Sequence, residues 1–279
     1  MVEFILPEKH RPSPQDHLAE GRRRFLLNVQ FEGTAYCGWQ RQENSPSVQQ
    51  TLEEALCKLT GEHISVVGCS RTDAGVHARS LTAHFDSGTR IPPEKIAFAV
   101  NPLLPEDISV QRSALAPEGF HARYSARGKV YAYRFWNGRQ PAALGRQVRA
   151  HVPVPMDERK MDEAVRQLLG THDFAAFAAS GSVARSTVRT LWRAQVRREG
   201  DEVVLFVLGD GFLYNMVRII AGTLAEIGTG KRPACCLEEA LASGDRLALG
   251  MTAPAKGLVL ETALYEGDEE KALSYFCGP

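Results

Sequence analysis

The order of strand-like and helix-like segments constrains the fold of this chain more than any other feature of its sequence. From Arg23 to Glu32 the side chains alternate, with four apolar residues on one face, a pattern typical of a half-buried strand. Ser47 then stands three residues before Gln50, and apolar residues recur at three- and four-residue spacing until Gly61. This spacing predicts a capped amphipathic helix. The sequence thus begins with a strand, a loop and a helix.

Later segments extend this order to β-α-β-β-α-β, and the second half repeats it with different sequence. The first half continues with β-like runs at 64–69 and 81–85, a helix at 92–100 and a strand core at 108–110. The second half contains strands at 129–136, 187–196, 202–208 and 257–264, and helices at 156–169 and 213–227. Two such units predict an α+β fold of two ferredoxin-like modules, in which antiparallel sheets carry helices on one face and leave a cleft for a long ligand. The predicted modules are residues 22–126 and 127–279, preceded by a flexible tail at 1–21.

Composition excludes several classes of protein and leaves nucleic-acid binding open. Lys plus Arg and Asp plus Glu both number 33, so a basic surface has to be local. The 6 cysteines contain no C-x-x-C pair, which argues against a zinc site or a disulfide framework. No apolar run reaches the roughly 18 residues of a membrane span, and no secretory signal pattern is present. We therefore expect a cytoplasmic protein that has no membrane partner.

A polar loop between two β-like runs contains Asp73, flanked by Arg71, Gly75 and His77. A loop carboxylate alone is typical of an Asx-turn. Here, however, Gly75 permits a backbone conformation closed to other residues, and Arg71 is near enough in sequence to keep a carboxylate ionised. Nucleophilic catalysis by aspartate requires that ionised form. Asp73 is therefore the candidate catalytic residue, whereas His77 is interpreted as structural because nothing nearby makes it a metal ligand or a general base.

The stretch Arg71-Thr72-Asp73-Ala74-Gly75-Val76-His77-Ala78 resembles the signature of the tRNA pseudouridine synthase family called TruA. Further blocks resemble that family in the same order, at 32–42, 120–123 with 131–134, 211–218 and 254–258. The resemblance runs from about Phe25 to Leu264. It implies a pseudouridine synthase fold with a central RNA-binding cleft.

The resemblance also implies roles for individual residues. Asp73 matches the catalytic aspartate, and Arg71 matches an arginine that helps to open the site and displace the target base. Tyr131 matches a tyrosine that contacts the target uracil, Arg218 an arginine that pairs with the catalytic carboxylate, and Leu258 a residue of the apolar wall.

Tyr131 and Arg218 each have a second interpretation from the residues alone. Tyr131 begins an alternating strand, where an aromatic side chain is more often part of the core. Arg218 lies in an otherwise apolar helix, where a lone arginine usually extends to water. Because Arg218 has apolar neighbours on both sides, it is better explained as the buried partner of a carboxylate.

Two acid-free runs of basic residues predict a local RNA-binding surface. The first lies between Gly119 and Met156 and is interleaved with aromatic residues; its members are Arg123, Arg127, Lys129, Arg134, Arg139, Arg146 and Arg149. The second consists of Arg185, Arg189, Arg193, Arg197 and Arg198. A solvated strand face is the alternative for the second run, but two such runs favour contact with phosphate groups.

By resemblance, the reaction is isomerisation of uridine to pseudouridine at positions 38, 39 and 40 in the anticodon stem-loop of tRNA, carried out by a homodimer. The reaction is redox-neutral, so no metal or other cofactor is expected.

One alternative is a non-catalytic RNA-binding protein or RNA chaperone of the same fold, which would lack Asp73 or Tyr131. Another is a hydrolase using Asp73 and His77, but no oxyanion loop or metal cluster accompanies them. The chain departs from common family patterns before Arg22 and at 68–70.

Overall fold

The computed structural model describes residues 5–7, 18–179, 181 and 184–276, which belong to two compact units. The first unit comprises Met1–Arg127 and Leu260–Asp268, and the second comprises Gly128–Val259 and Glu269–Pro279. A segment near the carboxyl end of the chain therefore belongs to the first unit. Within the described part of the chain, no helix is both long and apolar enough to cross a membrane.

The first unit has the predicted order β-α-β-β-α-β. Its elements are β1 (Arg23–Phe31), α1 (Val48–Thr60), β2 (Val66–Gly68), β3 (His77–Ser87), α2 (Ile96–Val100) and β4 (Ile108–Leu115). Strand β1 pairs antiparallel with both β3 and β4, and β2 pairs antiparallel with β3. Alternate residues of β1 are buried, and Phe25 stacks on Phe85 with ring centroids 5.1 Å apart. The predicted half-buried strand is thus confirmed.

Helix α1 begins and ends where the sequence predicts. The Ser47 side chain accepts a hydrogen bond from the Gln50 N–H, and Gly61 ends the helix with a φ of 71°. Leu52 and Leu56 are fully buried on the face that packs into the unit. The cap and the apolar stripe together specify this helix.

The second unit contains more elements than the sequence predicts. They are β5 (Gly128–Trp136), β6 (Ala150–His151), α3 (Glu158–Val165), β7 (Gly170–Asp173), β8 (Val188–Glu199), β9 (Glu202–Gly209), α4 (Met216–Gly228), α5 (Cys236–Ser243) and α6 (Glu269–Ser274), while β10 (Leu258–Leu264) begins in this unit and continues into the first. Strand β9 pairs antiparallel with β5 and β8, and β7 pairs antiparallel with β8, while the short β6 runs parallel to β5. The predicted strands and helices are present. The short elements β6, β7, α5 and α6 were not predicted.

Helices α3 and α4 both begin later than predicted, for local reasons. Helix α3 begins after Asp157, whose carboxylate accepts the backbone N–H groups of Arg159 and Lys160. Helix α4 begins at Met216 and not at residue 213, because Asn215 has a φ of 61° and cannot belong to a right-handed helix. The chain as described is an α+β protein whose sheets are mainly antiparallel.

The predicted amino-terminal tail is described only in part. Residues 1–4 and 8–17 lie outside the described residues. Leu6 is described, and its side chain is only 1% exposed.

Candidate functional site

The loop that carries Asp73 connects β2 to β3 and is held by backbone hydrogen bonds along its length. Before Asp73, the Trp39 N–H donates to the Thr72 carbonyl oxygen at 3.3 Å. After it, the Gly75 N–H donates to the Tyr36 carbonyl oxygen at 3.2 Å, and the Val76 N–H donates to the Asp73 carbonyl oxygen at 3.1 Å. The segment 36–39 thus supports the backbone on both sides of the half-buried Asp73.

Glycines allow the two segments to approach this closely. A Cβ at Gly38 would overlap the Thr72 carbonyl oxygen, and Gly38 also has a φ of 91°. A Cβ at Gly33 would overlap the Val76 carbonyl oxygen. The glycines of the block at 32–42 are therefore required by the position of the Asp73 loop.

His77 has the structural role that the sequence suggested. It is 2% exposed, and its Nδ1 accepts the backbone N–H of Gly33 at 2.9 Å. Because Nδ1 is an acceptor, the neutral ring carries its proton on Nε2. His77 therefore fixes the first turn after β1 to the start of β3.

Arg71 does not form the ion pair with Asp73 that the sequence suggested. The Arg71 side chain is exposed, and the described residues include no ion pair between it and Asp73. Arg71 lines a cavity together with Gly68 and Arg123. Arg71 and Asp73 are only two residues apart in the sequence, but the loop directs the Arg71 side chain toward this cavity.

The second unit places Tyr131 and Tyr133 on one face of β5. Tyr131 is 6% exposed, and its ring meets the Phe212 ring edge-on with centroids 5.1 Å apart. Tyr133 is fully buried, and its hydroxyl donates to the Pro254 carbonyl oxygen at 2.7 Å. Burial raises the pKa of Tyr133 well above its usual range, although the nearby Arg218 acts in the opposite direction.

Arg218 joins α4 to the segment that precedes β10. Its Nε donates to the Ala253 carbonyl oxygen at 2.8 Å, and its Nη1 donates to Asn215 Oδ1 at 2.7 Å. In return, the Ala253 N–H donates to the Arg218 carbonyl oxygen at 3.0 Å. The side chain is half-buried and not fully buried as the sequence suggested. Its pairing with a catalytic carboxylate stays a prediction.

Leu258 follows directly on this anchored segment. It is 5% exposed and begins β10 after the tight turn Ala255–Gly257. Gly257 packs against the Tyr133 ring, where a Cβ would be too close to the ring atoms. Tyr133 and Asn215 therefore help to position Arg218 and Leu258. The sequence did not single out either residue, although both lie within the motif blocks at 131–134 and 211–218.

Acidic residues, most of them distant in sequence, neutralise part of the two basic runs. Arg134 Nη1 and Arg149 Nε both lie 3.1 Å from Glu202, and Arg127 pairs with Glu266 at 3.2 Å. In the second run, Arg197 pairs with Glu199 and Arg198 with Glu158. These five arginines are each paired with a carboxylate, and contact of both runs with phosphate groups stays a prediction. Arg123, Arg139, Arg146 and Arg185 are exposed and make no ion pair with any described residue.

Comparison with known proteins agrees with the motif blocks. The profile of a family described as tRNA pseudouridine synthase matches residues 28–125 and 164–266, more than half of the chain. The tRNA pseudouridine synthase A of Clostridium acetobutylicum is 43% identical over 243 residues, which are 87% of this chain and 100% of that protein. The corresponding protein of Ruminiclostridium cellulolyticum is 45% identical over 244 residues, with the same coverage.

This chain belongs to the tRNA pseudouridine synthase family. The family is one of isomerases, so the chain is an enzyme of that class. A chain in the crystal structure of a Cbf5–Nop10–Gar1 complex is 12% identical, with a TM-score of 0.37 over 87% of this chain and 60% of that one.

The family match includes most of the candidate residues of this tRNA pseudouridine synthase. The first matched segment contains Arg71 and Asp73, and the second contains Arg218 and Leu258. Tyr131 lies in the gap between the two segments. Its assignment therefore depends more heavily on the block at 131–134 and on its position beside Phe212.

Proposed function

We propose that this tRNA pseudouridine synthase isomerises uridine to pseudouridine at positions 38, 39 and 40 of the anticodon stem-loop, with Asp73 as the catalytic carboxylate. The observation that carries the proposal is the construction of the Asp73 loop. Its backbone is held on both sides by segment 36–39, through contacts that require Gly33 and Gly38. A catalytic group must keep its position while the substrate is bound, and this loop supplies that rigidity.

The reaction conserves atoms and electrons. The bond from uracil N1 to the sugar C1′ breaks, the base turns, and a bond from C5 to C1′ forms, while a proton leaves C5 and another joins N1. Asp73 initiates the reaction by attack on the sugar C1′ or the uracil C6, or by removal of a proton from the sugar C2′. Each of these alternatives requires the ionised carboxylate.

We assign the other candidate residues to binding of the flipped base. Unstacking a uridine from an RNA stem costs a few kcal/mol. Stacking of a base on an aromatic ring contributes about 1 to 3 kcal/mol, which is the right size to offset that cost. Tyr131 would provide the ring, Leu258 an apolar wall and Arg71 the group that displaces the base. Arg218 would hold the carboxylate ionised.

The remaining features of the proposal concern the whole enzyme. We infer a homodimer in the cytoplasm, because the sequence resembles a family with those properties. We also infer that each unit is a ferredoxin-like module. In the first unit, β1 lies between β3 and β4 while β2 adjoins β3, which is the strand arrangement of that module.

The proposal is tested with an unmodified tRNA transcript and a matched pair of aspartate variants. Wild type and Asp201→Asn, which alters an exposed aspartate in the turn between β8 and β9, should form pseudouridine at positions 38–40 at similar rates. Asp73→Asn should bind the transcript and form none. Turnover by Asp73→Asn at the wild-type rate would overturn the catalytic assignment. Modification confined to other uridines would overturn the site assignment, and binding without turnover by wild type would favour an RNA chaperone.

A further inference from the structure

A cavity of about 160 Å³ lies in the first unit beside the loop that carries Asp73. Its lining includes Trp39, Gln40, Gly68, Ser70, Arg71 and Arg123. This pocket has room for a phosphate group.

The lining of the cavity is positively charged. Arg71 and Arg123 are exposed, neither forms an ion pair with a described residue, and no carboxylate lines the cavity. Glu53 is bonded to lining residues but is itself buried, and its carboxylate is already paired with Arg41 at 3.0 Å. Two guanidinium groups without a carboxylate favour an anionic ligand.

Strand β2 adds a backbone donor to the same cavity. The Val66 N–H and carbonyl oxygen bond to the side chains of Glu53 and Gln49, so they face away from β3. The Cys69 N–H instead bonds to the Thr82 carbonyl oxygen, beyond the last pair of the β2–β3 ladder. Because successive residues of an antiparallel strand face the partner alternately, the N–H of Gly68 also faces away from β3. Gly68 lines the cavity and has no side chain to cover this N–H.

The backbone that carries Arg123 is also fixed. His121 is 5% exposed, and its Nδ1 accepts the N–H groups of both Arg123 and Tyr124 at 3.1 Å. The Tyr265 hydroxyl donates to the carbonyl oxygen of Ala122, the residue between His121 and Arg123, at 2.8 Å. The guanidinium of Arg123 therefore extends from a rigid turn.

We propose that this cavity binds a phosphodiester group of the tRNA backbone adjacent to the target uridine. Arg123 neutralises its charge, and the Gly68 N–H donates to one of its oxygens. Phosphate contacts fix the register and orientation of a nucleic acid on a protein without reading its sequence. A phosphate held beside the Asp73 loop thus selects which nucleotide of a structured RNA is presented to Asp73. The identity of the RNA as tRNA rests on the proposed function.

Binding of an unmodified tRNA transcript at several salt concentrations tests the proposal. Arg123→Gln is compared with Arg90→Gln, which changes an exposed arginine of the same unit that does not line the cavity. All proteins also carry Asp73→Asn, so no RNA is modified during the measurement.

The slope of log affinity against log salt should become shallower by about 0.7 to 0.9 in Arg123→Gln, as expected for one lost phosphate contact. It should not change in Arg90→Gln. Arg123→Lys keeps the charge and should keep the slope.

Transcripts with one uncharged methylphosphonate linkage locate the phosphate. One linkage next to the target uridine should weaken binding of the protein that retains Arg123 but have no further effect in Arg123→Gln. An unchanged slope in Arg123→Gln, or equal effects of every linkage on both proteins, would overturn the proposal. Failure of the wild-type enzyme to form pseudouridine would instead contradict the proposed function and would leave these binding measurements interpretable.

Discussion

At the scale of single residues, Tyr131 is the side chain whose role is most open to a direct test. Its ring packs edge-on against Phe212 and is nearly buried. Tyr131→Phe keeps the ring and this contact, so the free energy of unfolding should change by at most about 1 kcal/mol. If the hydroxyl acts on the target uracil, turnover should nevertheless fall. Pseudouridine formation and urea unfolding measure the two effects separately.

Tyr131→Leu provides the complementary change. Leucine loses the aromatic face, so it should lower turnover further and also destabilise the unit through lost packing, by about 1 to 3 kcal/mol. A wild-type rate in Tyr131→Phe combined with loss of stability in Tyr131→Leu would show that the Tyr131 hydroxyl has no role in turnover and that the residue acts through packing in the hydrophobic core.

The charged residues show where reasoning from sequence ends at this scale. Asp73 was found because an eight-residue motif surrounds it. The ion pairs of Arg134 and Arg149 with Glu202 depend on the pairing of β5 with β9. The run of basic residues in the sequence does not indicate this strand pairing. Likewise, Arg71 lines a cavity whose wall includes residues of β2, and the sequence alone does not show that β2 lies there. Local motifs therefore predict local geometry, whereas charge balance requires the fold.

At the scale of elements, α4 anchors the segment that leads to Leu258. Gly222 lies against the Met251 carbonyl oxygen, where a Cβ would overlap it. Alanine is normally about 1 kcal/mol better than glycine inside a helix. Here we expect Gly222→Ala to destabilise the protein by about 1 to 3 kcal/mol and to lower turnover, because the backbone near Met251 has to move.

Gly228→Ala in the same helix is the matched control, since its Cβ would meet mainly the flexible Met161 side chain. Thermal unfolding and activity of both variants check this, and equal effects of the two substitutions would contradict the anchoring role.

Elements also differ in how strongly the sequence specifies them. Helix α1 has an N-cap, an apolar stripe and a terminal glycine, and all three agree, so both of its ends were predicted. Helix α5 buries only Cys236, Leu237 and Ala240 over two turns, too short a pattern for periodicity to show. Strand β7 is polar and lies at the edge of its sheet, so it has no alternation to detect. Its pairing with β8 supplies the stability that the sequence pattern does not reveal.

At the scale of the whole molecule, buried tyrosines make stability sensitive to alkaline pH. Burial raises the pKa of Tyr36, Tyr133 and Tyr265 above the usual value of 10.0. Unfolding returns each hydroxyl to that value, so above pH 10 the unfolded chain binds fewer protons than the folded one. The stabilisation that comes from keeping each tyrosine protonated is therefore fully present below about pH 10. Above that pH the free energy of unfolding falls by about 1.4 kcal/mol per pH unit for each tyrosine.

Tyr133→Phe isolates one of these contributions. At neutral pH the variant leaves the Pro254 carbonyl oxygen without its donor, so we expect it to be less stable than wild type by about 1 to 3 kcal/mol. Phenylalanine has no proton to lose. As the pH rises above about 10, wild type alone loses the Tyr133 contribution, and the gap between the two proteins should narrow by about 1.4 kcal/mol per pH unit. Urea unfolding from pH 8 to 11 measures the gap. A gap that stays constant would show that Tyr133 ionises as readily in the folded protein as in the unfolded chain, and burial would then not control its pKa.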